Sequence, residues 1–91
     1  MITVNRIKIV DVNDVVNTNL QTSPDNQINA LKVLEERTNE FLVELSKKYD
    51  RSSVLSYPDE GAVKCIECSF ASYGHYPIMI ITYKEFVKIE E

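Results

Sequence analysis

The chain has 91 residues, 44% hydrophobic and 26% charged, with a net charge of -4 and a pI near 5.0. That length suits one core rather than two, and the composition is that of a folded domain, not a disordered tail. The acidic balance argues against duplex nucleic acid, which needs a basic face, and two glycines leave little material for a phosphate-cradling loop.

Residues 2–12 (ITVNRIKIVDV) alternate and are rich in β-branched types, which predicts a strand. Thr3, Asn5, Ile7, Ile9 and Asp11 share one face; Val4, Arg6, Lys8, Val10 and Val12 share the other. Residues 13–23 are polar and Asn-rich and read as a long loop, with a turn at Asn13-Asp14. Ser23-Pro24-Asp25 is a helix start: a capping hydroxyl, proline at the first helical position, then an acid in the first turn. Beyond it, Ile28, Leu31, Leu34, Thr38, Phe41, Leu42, Leu45 and Tyr49 recur at spacings of three and four, one apolar stripe on a helix of about seven turns. Lys32 with Glu36 and Glu44 with Lys48 are spaced to pair along it, and Lys47 and Lys48 suit its negative end.

Residues 53–57 predict a short strand and Pro58-Asp59-Glu60-Gly61 a turn. Residues 62–72 alternate as a strand, Tyr73-Gly74-His75-Tyr76 turns, and residues 77–83 make a strand that is apolar on both faces. The tail KEFVKIEE either extends that strand or makes a turn of helix. The expected fold is α+β: one two-layer domain over residues 1–91, β-α-β-β(-β), with one long helix on a mostly antiparallel sheet of three or four strands.

One helix covers one face of such a sheet, and a wet second face should be polar. Here the first and last strands are apolar on both sides. The expectation is therefore a homo-oligomer, a dimer or larger, with Val10, Val12, Met79, Ile81 and Tyr83 at the contact.

No catalytic constellation stands out. Cys65-x-x-Cys68 with His75 is too few ligands for a structural zinc site. On a strand the two thiols diverge, which favours small buried apolar side chains over a redox or metal pair. No metal and no cofactor are expected. The crowded hairpin around Tyr73, His75 and Tyr76 is the candidate ligand- or partner-binding site, because exposed aromatics give large, rigid contact areas. Arg6 and Lys8 would add charge for an anionic ligand, and Lys64 and Lys84 would extend the positive spot.

The run Leu34-Glu35-Glu36-Arg37-Thr38-Asn39-Glu40-Phe41-Leu42, then a short strand, then Ile78-Met79-Ile80-Ile81-Thr82-Tyr83-Lys84 after a loop, resembles the small sporulation-induced proteins of spore-forming Firmicutes. The likeness covers residues 2–12 and 31–84. The polar segment 13–30 and the charged tail depart from it. It implies the fold and the kind of source, including the phages and prophages of such hosts, and brings no site residues.

The expected function is a small non-enzymatic binding or inhibitor protein. Encoded by a phage or prophage, it would act against a host defence protein or sequester a small nucleotide. A sporulation-associated structural or regulatory protein is the alternative, and a thiol-dependent enzyme built on Cys65, Cys68 and His75 ranks last. Residues 1–12 lack a secretory pattern and no apolar run approaches the length of a membrane span, so a cytoplasmic location without a membrane partner is expected.

Overall fold

In a computed structural model of the chain, the described residues are 2–12, 14, 24–51, 60–73 and 76–88. They form β1 (Ile2–Val10), α1 (Pro24–Lys48), β2 (Val63–Tyr73) and β3 (Tyr76–Val87). The tail extends β3 to Val87 rather than forming a helical turn. The strand expected at 53–57 lies outside the described residues.

The three strands make one antiparallel sheet in the order β1-β3-β2. β1 pairs with β3 without interruption from Ile2↔Val87 to Val10↔Met79. β2 pairs with β3 from Val63↔Glu85 to Tyr73↔Tyr76, with a register shift between Lys64 and Glu67. Because β1 and β2 both oppose β3, they run parallel to each other. The crossover through α1 spans the central strand, as parallel pairs require.

The helix begins at Pro24, where proline's fixed φ suits the first turn and its missing N–H is no loss. At 25 residues it is about 37 Å long. Its last turn carries Lys47 and Lys48. Glu44 pairs with Lys47 at 3.3 Å rather than with Lys48. The Asp50 N–H then donates to the Val63 carbonyl, which ties the helix exit to the start of β2. Gly61, at φ +88°, takes the left-handed conformation that leads into β2, and its N–H donates to the Phe86 carbonyl.

The core is Val10, Val12, Ala30, Leu34, Leu45, Val63 and Ile81, with Val33, Phe41, Leu42, Ile66, Met79 and Tyr83 packed against it. The helix lies over β3 and β1. Leu34, Thr38 and Leu45 of the expected stripe are buried and Phe41 and Leu42 half-buried. Ile28, Leu31 and Tyr49 are exposed, and Ala30 and Val33 face inward in their place. The buried stripe departs from the expected one at the two ends of the helix and matches it from Leu34 to Leu45.

The packing places the five residues expected at an oligomer contact within the chain's own core. Val10, Val12 and Ile81 are buried beneath α1, and Met79 and Tyr83 pack against them. These five residues belong to the covered face. Their position follows from the pairing, which sets Val10 beside Met79, Lys8 beside Ile81 and Arg6 beside Tyr83 on one side of the sheet.

Candidate functional site

The other side of the sheet is built from alternate residues of all three strands. Across the ladder, Ile9 lies beside Ile80 and Ser69, Ile7 beside Thr82 and Glu67, and Asn5 beside Lys84 and Lys64. Ile78 and Ala71 pair beyond them, and Thr3 pairs with Phe86 at the far end. None of the described elements lies over this face. Ile7 is 70% exposed and Ile9 55%, while Ile78 and Ile80 are half-buried on the central strand. A solvated antiparallel face normally alternates to polar residues; this one carries four isoleucines.

Its two ends differ. The end near the β2–β3 turn is apolar, with Ile9, Ile78, Ile80 and Ala71. The opposite end places Lys64 directly across from Lys84, a like-charge pair that disfavours the ladder. Lys64 Nζ stands 5.0 Å from the centre of the Phe86 ring, a cation–π contact that partly shields it. Glu67 is the one acid among these paired residues. A cleft of about 390 Å³ runs between Asn5, Ile7, Cys65, Glu67, Thr82 and Lys84.

The site residues expected from the sequence are not brought together. Arg6 and Lys8 stand on the helix side of β1, where Arg6 Nε donates to Glu85 Oε2 at 2.7 Å. Lys8 Nζ lies 5.6 Å from the centre of the Phe41 ring. Tyr73 and Tyr76 pair at the far end of the β2–β3 hairpin. Arg6 and Lys8 pair with Tyr83 and Ile81, roughly 24 and 17 Å from Tyr76 along β3. They add no charge to a hairpin site. His75 and the side chains of Tyr73 and Tyr76 lie outside the described residues. Arg6 and Lys8 are also separated by the sheet from Lys64 and Lys84, so the four do not form one positive spot.

The cysteines are exposed rather than buried. Cys65 sits in the register shift at φ 56°, an uncommon conformation for a residue with a Cβ, so β2 bulges there. Cys68 pairs beside Ile81 and points to the helix side. Among the described residues no three His, Cys, Asp or Glu side chains gather to hold a metal ion. No described helix is long and apolar enough to cross a membrane.

Sequence reasoning missed the contact that fastens the end of β1. Arg37 clamps Asp14 through both carboxylate oxygens, at 2.7 and 2.8 Å, and donates to the Asp11 carbonyl at 2.9 Å. The guanidinium holds the Asp14 carboxyl at about 2, well below its ordinary 3.8, chiefly by this hydrogen bonding. Arg37 lies among the inward-facing positions of α1, and an arginine there needs a nearby acid; Asp11 and Asp14 were the sequence signal.

The chain matches no family model, no curated protein and no solved structure.

Proposed function

We propose that the protein is a non-enzymatic binding protein that uses the uncovered face of its sheet to hold a protein partner. The observation that carries this reading is the exposure of Ile7 and Ile9 beside Ile78 and Ile80, on a face that no described element lies over. Leaving large aliphatic side chains in water forgoes about 1.5–3 kcal/mol each relative to burial. A partner surface recovers that free energy. Lys64 and Lys84 at one end favour a partner whose apolar patch is bordered by acidic side chains. The shallow cleft beside Glu67 suits this reading better than sequestration of a small nucleotide, because small-molecule sites enclose most of their ligand.

The test is site-specific photocrosslinking in cells. A photoreactive phenylalanine analogue replaces Ile80 in the centre of the face, and the control replaces Val43, an exposed helix residue on the other side of the molecule. The expected result is a discrete adduct with another protein from position 80 only, lost when Lys64 and Lys84 are both changed to Glu. Equal adducts from both positions, or none from position 80, would remove this reading. An adduct only with a second copy of the chain would make the face a self-contact instead.

A further inference from the structure

We propose that the one-residue bulge at Cys65 positions Lys64: it turns this cation away from the helix side of the sheet to stand opposite Lys84, and so gives the uncovered face its preference for an acidic partner surface. The proposal rests on the partner-binding reading and deepens it.

Two registers meet at this bulge. From Glu67↔Thr82 to Tyr73↔Tyr76 the strands run in one register, while Val63↔Glu85 and Lys64↔Lys84 belong to another, displaced by one residue. Cys65 and Ile66 together stand opposite Tyr83. Side chains alternate between the faces of a strand, so a displacement of one residue exchanges the faces. Had β2 kept the register of its later half, Ile66 would stand opposite Tyr83, Cys65 opposite Lys84, Lys64 opposite Glu85 and Val63 opposite Phe86. Lys64 would then lie on the helix side, and Val63 would leave the core for the uncovered face. In the structure Val63 is fully buried and Lys64 is on the uncovered face. The extra residue makes both possible.

The displaced register is anchored before the bulge. Phe86 N–H donates to the Ala62 carbonyl, Gly61 N–H to the Phe86 carbonyl and Asp50 N–H to the Val63 carbonyl. Its costs fall at the bulge itself. Cys65 takes φ 56°, where glycine is the ordinary occupant. Lys64 faces a like charge, whereas the undisplaced register would give it Glu85, an opposite one. Burial of Val63 accounts for the bulge, but not for a lysine at 64, since any polar residue suits a solvated face. Neither Lys64 nor Lys84 has an ion pair among the described residues. Backbone strain and two unanswered charges thus coincide at one end of the open face, the kind of place where strain serves a site. Two cations rooted about 5 Å apart favour an acidic rim on whatever docks there.

The experiment compares three changes at one position of the full chain: Cys65→Gly, Cys65→Val and deletion of Cys65. Interstrand nuclear Overhauser contacts on the purified proteins report which residue stands opposite Lys84, and crosslinking from position 80 in cells reports the partner. Cys65→Gly should keep the bulge, the Lys64 pairing and the adduct, because glycine takes the left-handed conformation freely. Deletion removes the extra residue and straightens β2 with Lys64 still opposite Lys84, so the adduct should persist. Cys65→Val places a β-branched residue where φ must be positive. It should bring residue 65 opposite Lys84 and Lys64 beside Glu85, and lower the adduct about two- to fivefold, the worth of one exposed ion pair. Lys64 still opposite Lys84 in Cys65→Val, or turned away there with the adduct unchanged, would overturn the proposal. If circular dichroism shows that Cys65→Val does not fold, the deletion decides: loss of the Lys64 pairing, or loss of the adduct with that pairing kept, would overturn it. The register is read without any partner, so the two readings fail separately. A wild type that gives no adduct removes the partner reading and the role of Lys64 with it, while an adduct indifferent to where Lys64 faces removes this inference alone.

Discussion

Thr38 is 6% exposed, sits in the middle of α1, and its Oγ1 has no hydrogen-bond partner among the described residues. Helical threonines often bond back to a carbonyl one turn earlier; this one does not. Its hydroxyl has given up water and gained nothing. Removing the oxygen while keeping the shape should be favourable, because a buried unsatisfied polar group costs about 1–3 kcal/mol. Thr38→Val is expected to stabilise the fold by about 1 kcal/mol, seen as a rise of roughly 4–8 °C in Tm for a domain of this size. A lower Tm would mean that the hydroxyl finds a partner in solution. The sequence placed Thr38 on the buried stripe, but whether its oxygen has a partner depends on what the fold packs against it.

The helix and the end of β1 are held together by Arg37 and Asp14 across 23 positions of sequence. The folded carboxyl ionises near 2 and an unfolded one near 3.8. Between those values the unfolded chain binds more protons, so the contribution of this contact is complete above about pH 4 and lost as pH falls toward 2. Asp14 is 66% exposed at its side chain, so added salt should weaken the effect. Urea midpoints measured from pH 6 to 2 should show Asp14→Asn less stable than wild type at neutral pH, with the two curves meeting near pH 2. Parallel curves would show that the clamp does not form. Other element-level features were plain in the sequence. Pro24 marks the helix start, and period-two alternation marks all three described strands. The bulge at Cys65 carried no glycine to announce it, and the extension of β3 to Val87 depends on pairing with Ile2 and Thr3.

For the whole molecule, the question is which face of the sheet the helix covers. The arrangement can be tested by opposite substitutions on the two sides. Ile81 is fully buried on the central strand, and Ile81→Ala is expected to cost about 2–5 kcal/mol. Ile7 is the most exposed large aliphatic residue described, and Ile7→Asp should change monomer stability by no more than about 0.5 kcal/mol. Denaturant unfolding at low protein concentration, where self-association is absent, measures both. A large loss from Ile7→Asp there would show that the second face is covered within one chain.

The amino-acid order alone determined the class of the fold, the helix and its start, the three described strands, and the fact that the sheet is apolar on both sides. Those features follow from local chemistry: side-chain periodicity, β-branching and the fixed φ of proline. It did not determine which apolar side becomes core. Val10, Val12, Met79, Ile81 and Tyr83 are no more apolar than Ile7, Ile9, Ile78 and Ile80, so hydrophobicity could not separate them. The tertiary structure decided it. The crossover from β1 to β2 carries α1 to one side of β3, and the helix shelters whichever residues point there. Arg6 and Lys8 can share that covered side because β1 is an edge strand, where their long stems reach past the helix flank to water. That is why a face carrying two cations became the core side, while none of the described elements lies over the face of isoleucines.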